Sequence, residues 1–178
     1  PKLEFIGGGE ESFGFMVSDF VRDKDAVTAT LLACEIAAQK KEEGSSMFDY
    51  LQSIYEEYGT YREHLVSLVK KGKKGAEEIS EMMKKLREDP FTEIAGSNVI
   101  RFEDLQKQEA VTFPSKTKET LDIPKSNVLI YYTEDGSKIA MRPSGTEPKI
   151  KFYMSVNTTS KGDDVSEALQ NKIDKIST

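Results

Sequence analysis

Val128-Leu129-Ile130-Tyr131-Tyr132-Thr133-Glu134-Asp135-Gly136-Ser137-Lys138-Ile139-Ala140-Met141 sets two runs rich in β-branched and aromatic residues on either side of Glu134-Asp135-Gly136-Ser137. A glycine behind an aspartate between such runs specifies an antiparallel hairpin. Immediately downstream, Ile150, Phe152, Met154 and Val156 alternate with Lys149, Lys151, Tyr153 and Ser155, the period of a half-buried strand. Upstream, Val99-Ile100-Arg101-Phe102 and Leu65 to Val69 read as further strands. Helical spacing links Ala76, Ile79, Met82, Met83 and Leu86, stopping before Asp89-Pro90, and again links Val165, Ala168, Leu169, Ile173 and Ile176. Between these elements, Lys70-Lys71-Gly72-Lys73-Lys74-Gly75 is expected to be a turn, and residues 103–124, which show no period, are expected to be irregular. The fold class that follows is α+β, an antiparallel sheet of about four strands packed by two helices.

The first third of the chain reads differently. Leu3-Glu4-Phe5-Ile6 is expected to be a short strand running into Gly7-Gly8-Gly9, with a second strand at Phe13 to Val17. Asp25 can cap a helix from about Ala26 to Lys41 whose middle, Ala29 to Ala38, is apolar around most of its circumference. Ser46-Met47-Phe48-Asp49 resembles a capping box opening a second helix, with Met47, Leu51, Ile54 and Tyr58 on its apolar side. Gly59 ends that run, which places a domain boundary between residues 1–59 and 60–178. The Ala26 helix has apolar faces for which residues 1–60 offer too few strands, so the first segment reads as the tail of an α/β domain.

Composition narrows the chemistry. With 25 Lys+Arg against 31 Asp+Glu in 178 residues, no global field draws the protein to nucleic acid or to a membrane. The longest apolar run is too short to span a bilayer. One cysteine, Cys34, fits a reducing cytoplasm and is expected to be buried in its helix. One histidine, His64, is expected at the surface, and with so few His and Cys a zinc site and most Ser-His or Cys-His nucleophilic arrangements are excluded.

Two loops carry the remaining signal. Arg142-Pro143-Ser144-Gly145-Thr146-Glu147-Pro148 offers a forked guanidinium, two hydroxyls and a glycine whose amide an oxyanion can approach, between prolines that restrict the loop. Composition alone leaves two readings open: an anion grip, or a tight turn whose arginine pairs with a surface acid. Gly7-Gly8-Gly9-Glu10-Glu11-Ser12-Phe13-Gly14 brackets a short acidic stretch with glycines. It is either a carboxylate held toward sugar hydroxyls or a hairpin with solvated acids.

Taken together, in this order, the loops resemble those of the α-D-phosphohexomutase superfamily, the phosphoglucomutases and phosphomannomutases. Gly9 to Gly14 resembles the sugar-binding loop of that family's third domain, Asp23-Lys24-Asp25 a segment that places a lysine in the active cleft, and Arg142 to Pro148 the phosphate-binding loop of the fourth. Ala26 stands where the family usually has glycine. The resemblance implies that Glu10 and Ser12 contact sugar hydroxyls. It implies that Arg142, Ser144, Gly145, Thr146 and Lys151 hold the phosphate, with Lys149 as the fallback for Lys151, and that Lys24 serves in the cleft. The implied fold of residues 60–178 is the TATA-binding-protein-like fourth domain, and residues 1–59 would be the C-terminal part of the third. The implied partners are hexose phosphates (glucose or mannose 1- and 6-phosphate) and the N-terminal domains of the same protein. The implied chemistry interconverts the 1- and 6-phosphates through a phosphoserine enzyme and a hexose 1,6-bisphosphate intermediate, with Mg2+ as cofactor. Neither the phosphoserine loop nor the Asp-rich magnesium loop has a counterpart in this sequence, so the chain by itself is expected to be inactive. The competing expectations are a stand-alone anion-binding module and, through Lys70 to Lys74, a nucleic-acid-binding domain.

Overall fold

Residues 4–10, 14–158 and 164–177 are described by the computed structural model, and they belong to two units, Pro1–Tyr58 and Gly59–Thr178. In the first unit, β1 (Gly7–Gly9) pairs antiparallel with β2 (Phe15–Val17), Gly7 opposite Val17 and Gly9 opposite Phe15. The strand therefore falls on the glycines and not on Glu4 to Ile6, while Leu3 of the expected strand lies outside the described residues. The two strands lie close together: a Cβ at Gly9 would come within 3.3 Å of the Phe15 ring, and one at Gly7 within 3.2 Å of the Met16 carbonyl oxygen. A side chain at either position would make the partner strand give by a few tenths of an ångström.

Helix α1 (Ala26–Glu42) starts where Asp25 accepts the Val27 and Thr28 amides at 3.0 and 3.2 Å and the Thr28 hydroxyl at 2.7 Å. Helix α2 (Met47–Tyr58) opens on a reciprocal box: the Ser46 amide donates to Asp49 Oδ2 at 3.0 Å, and the Asp49 amide donates to Ser46 Oγ at 3.1 Å. Lys40 lies 4.3 Å from the centroid of the Tyr50 ring and links the two helices. No residue of α1 is buried, and Cys34 is exposed, which corrects the expectation of a buried thiol. Among the described residues, two three-residue strands and one neighbouring helix supply too little surface to cover a helix whose middle is apolar around most of its circumference.

The second unit is built on one antiparallel sheet. Its strands are β3 (Thr60–Val69), β4 (Glu93–Ile94), β5 (Ser97–Asp104), β6 (Glu109–Thr112), β7 (Thr117–Thr120), β8 (Leu129–Thr133), β9 (Lys138–Pro143) and β10 (Lys149–Thr158). They run in the order β3-β10-β9-β8-β5-β6-β7, with β4 added to β5. Helices α3 (Gly72–Glu88) and α4 (Asp164–Ser177) complete the unit. Ile79 and Met83 of α3 pack with Phe102, Leu129, Tyr131, Ile139, Met141, Ile150 and Met154 in the main core. Leu169 and Ile173 of α4 close over Val156 in a second cluster. The hairpin that decides the fold has Leu129 opposite Met141 and Tyr131 opposite Ile139, all four buried, and turns at Gly136 with φ +80.

The α+β class holds, but the sheet is wider than four strands. Residues 103–124, expected to be irregular, contribute the end of β5 and all of β6 and β7. Their turns pass through Gln108 and Lys116 at φ +55 and +57, positions where glycine or asparagine would have been the readable sign. β7 is exposed along its whole length, so it has no apolar face to give a period. Strand β3 is likewise longer than expected, starting at Thr60, and His64 on it is exposed. The expected turn at Lys70 to Gly75 ends early, because α3 already begins at Gly72.

Candidate phosphate-binding loop and its acidic counterpart

Pairing of β9 with β10 sets Arg142 opposite Lys151 and Pro143 opposite Ile150, so the anion-loop candidate connects two adjacent central strands. On β10 the buried side chains Ile150, Met154 and Val156 face the core, and Lys149, Lys151 and Tyr153 therefore share the opposite face with Arg142. The loop closes on itself. The Ser144 amide donates to the Lys149 carbonyl and the Lys149 amide to the Glu147 carbonyl, both at 2.7 Å. Ser144 Oγ accepts the amides of Thr146 and Glu147 at 3.4 and 3.3 Å, a serine turn that leaves the hydroxyl proton available to an acceptor. Gly145 is exposed, a Cβ there would meet nothing within 4 Å, and its amide donates to no acceptor among the described residues, so it is open to a ligand.

These residues surround a cavity of about 370 Å³ lined by Arg142, Pro143, Ser144, Gly145, Thr146, Glu147, Lys149, Lys151 and Tyr153. Arg142, Lys149 and Lys151 bring three positive charges to one face, and Glu147 brings one negative charge. Lys149 Nζ sits 2.7 Å from Glu147 Oε2, and this hydrogen bond holds the Glu147 carboxyl below its ordinary pKa. Lys151 Nζ lies 5.7 Å from the centroid of the Tyr153 ring. The net excess of positive charge, the serine and threonine hydroxyls and the open amide suit a dianionic oxyanion. Sequence reasoning missed Tyr153 and Glu147 as lining groups. Alternation along β10 was the available signal for Tyr153, since it puts that ring on the lysine face.

In the first unit, Glu10 and Lys24 come together: Lys24 Nζ is 3.4 Å from Glu10 Oε1 and 3.5 Å from Asp23 Oδ1. The charges of Glu10 and then Asp23 push the Lys24 pKa up, while the Lys24 amide and ammonium pull Asp23 down. The Asp25 amide, bonded to the Phe15 carbonyl at 3.0 Å, fixes the Asp23-Lys24-Asp25 segment beside β2. Gly14 makes the approach possible, because a Cβ there would lie 2.4 Å from Lys24 Cδ and 3.0 Å from Glu10 Oε2. Ser12 lies outside the described residues. Among the described residues, no group of three or more His, Cys, Asp or Glu could hold a metal ion. Among them too, no helix is long and apolar enough to cross a membrane.

Comparison with known proteins places the two units separately. Residues 2–58 match the family model for the phosphoglucomutase/phosphomannomutase alpha/beta/alpha domain III, and residues 67–172 match that for the phosphoglucomutase/phosphomannomutase C-terminal domain. A phosphoglucomutase of Staphylococcus haemolyticus is 40% identical over 153 residues, 86% of this chain and 28% of that protein. One from Staphylococcus aureus is 39% identical over 160 residues, 90% of this chain and 29% of its own length. The chain thus spans less than a third of the curated relatives it matches. Among solved structures, the open form of pp63/parafusin from Paramecium, titled a phosphoglucomutase, superposes with a TM-score of 0.55 at 18% identity, over 97% of this chain and 30% of the other. That likeness speaks for the fold, and the two family models speak for descent. The chain belongs to the phosphoglucomutase/phosphomannomutase family and carries segments matching its domain III and its C-terminal domain.

Proposed function

We propose that this chain is the sugar-phosphate-gripping C-terminal portion of a phosphohexomutase, an intramolecular phosphotransferase that interconverts hexose 1-phosphate and hexose 6-phosphate in the cytoplasm. The observation that carries the reading is the convergence of Arg142, Lys149 and Lys151 with the Ser144, Gly145 and Thr146 loop on one cavity. In this reading Arg142 grips two phosphate oxygens through its forked N–H groups, and the Ser144 and Thr146 hydroxyls and the Gly145 amide complete the grip. Lys151 adds charge from the neighbouring strand, and Lys149 divides its charge between Glu147 and the ligand. Glu10 and Ser12 take the sugar hydroxyls, and the Glu10 carboxylate keeps Lys24 charged and oriented beside that loop.

Phosphoryl transfer itself, through a phosphoserine and a hexose 1,6-bisphosphate intermediate, belongs to groups of the longer protein. Bound Mg2+ would supply charge neutralisation there. This chain contributes binding and orientation, and by itself it turns over no substrate. Titrating the 178-residue chain with inorganic phosphate, glucose 1-phosphate and mannose 1-phosphate, followed by amide chemical shifts, tests the assignment. Shifts at Ser144, Gly145 and Thr146 that saturate in the millimolar range, about −4 kcal/mol, are expected. Loop amides that ignore all three ligands would refute it. A turnover of glucose 1-phosphate by the purified chain would refute the division of labour.

A further inference from the structure

We propose that Gly75 and Lys70, neither of which lines the phosphate cavity, are positioning residues for the anion loop. The inference rests on the phosphate reading of that loop. Where the loop's C-terminal end enters β10, the Lys70 amide donates to the Pro148 carbonyl at 2.9 Å, just beyond the last β3–β10 pair, Val69 opposite Lys149. Lys70 is in turn wedged by α3. Gly75, buried in the first turns of that helix, lies so close that a Cβ on it would stand 2.5 Å from Lys70 Cβ, 2.7 Å from its carbonyl carbon and 2.9 Å from its carbonyl oxygen. Two of those contacts are to backbone, which cannot swing aside as a side-chain tip can.

Beyond the hydrogen bonds the loop makes within itself, its other side borders a cavity. This second cavity, of about 440 Å³, is lined by Ser144, Gly145 and Pro148 of the loop together with Ile79 and Met83 of α3. The loop is therefore not seated on a packed core, and its height above the sheet depends on where Lys70 holds Pro148. A glycine at position 75 is what allows α3 to press the end of β3 into that place. Gly72, three residues earlier, opens the helix with a positive φ and open space around it, and it makes no such contact with Lys70. The two glycines of the lysine-rich segment thus have separate duties.

Two measurements on the 178-residue chain test the inference. In the wild-type protein, saturating inorganic phosphate should slow hydrogen exchange at the Lys70 amide and move its chemical shift, because clamping the loop clamps the acceptor of that bond. In Gly75→Ala, phosphate affinity should fall about tenfold, with the Glu147 and Lys149 amide resonances displaced before phosphate is added. The comparison variant is Leu86→Ala, which loosens the far end of α3 without touching Lys70 and should keep wild-type phosphate affinity despite its lower stability. A Lys70 amide that ignores phosphate while Ser144 to Thr146 respond overturns the inference, and that measurement stands even if Gly75→Ala does not fold. Equal affinities for Gly75→Ala and wild type overturn it as well. Loop amides silent to phosphate in the wild type overturn the phosphate reading itself, and the positioning role with it.

Discussion

Replacing Asp135 with Asn should make the stability of the second unit lose a defined part of its pH dependence. Asp135 sits in the β8–β9 turn, where Lys172 of α4 reaches it at 2.8 Å, the Thr133 hydroxyl donates to it at 2.6 Å and the Ser137 amide at 3.2 Å. Partial burial pushes this carboxyl up. The Lys172 ammonium, the Thr133 hydroxyl and the Ser137 amide outweigh that and hold it at about 2, against an ordinary 3.8. A difference of that size corresponds to about 2.5 kcal/mol of preference for the ionised form in the folded state. The side chain is 38% exposed, so solvent screening reduces the usable part to about 1–1.5 kcal/mol. A carboxyl with a depressed folded-state pKa stabilises above its unfolded value and loses that contribution as pH falls through the folded one. Asp135→Asn keeps the side-chain oxygen that Thr133 and Ser137 address but removes the charge that Lys172 meets. Urea unfolding should therefore show wild type ahead by about 1–1.5 kcal/mol at pH 6, with the gap closing between pH 4 and 2. A gap that is flat across that range, or that widens in acid, would refute the reasoning.

Other consequences are as direct. Arg142→Ala should weaken inorganic phosphate binding by about tenfold or more, since a bidentate charge-assisted pair is lost, and a titration followed at Ser144 to Thr146 checks it. Gly14→Ala places a Cβ on Lys24 Cδ. The Lys24 ammonium should then leave Glu10, and its raised pKa should fall back toward the ordinary value, as NMR titration of its ε-methylene would report. Leu129→Ala removes a fully buried side chain from the centre of the sheet and should cost about 3 kcal/mol or more in denaturant unfolding. In native-state hydrogen exchange, amides of β8, β9 and β10 should be markedly better protected than those around Leu31 to Ile36 in α1, a helix with no buried residue.

How much of this was legible in the sequence depended on whether the deciding interaction is local. The Val128 to Met141 hairpin was readable because its apolar pattern, its Asp-Gly turn and its register all lie within fourteen consecutive residues. The caps at Asp25 and Ser46 were readable for the same reason, as each bonds to amides two or three residues away. Strands β6 and β7 were hidden because they are short and held mainly by pairing, β6 burying only Ala110. β7 is exposed throughout, and the turns that admit the two strands use Gln108 and Lys116 in a conformation that sequence rules reserve for glycine and asparagine. The exposed Cys34 was misread because apolar periodicity reports what a helix would bury, not whether a partner surface is at hand.

The candidate anion site divides along the same line. Its chemistry runs from Arg142 to Lys151, ten residues that fold back through one tight connection, so residue types alone gave the charge, the hydroxyls and the open amide. What sets the loop's position comes from far away in the chain: Lys70 meets Pro148 across 78 residues, and Gly75 meets Lys70 from the following helix. In the sequence those residues form a lysine-rich segment that reads as a solvated turn or a nucleic-acid contact. The glycines carry the information there. A helix interior tolerates glycine at a cost near 1 kcal/mol relative to alanine, so one placed at position 75 needs a compensating reason. The 2.5 Å clearance to Lys70 is that reason. It makes the start of α3 part of how the loop is held, and it moves functional weight in this segment from its four lysines to a residue with no side chain at all.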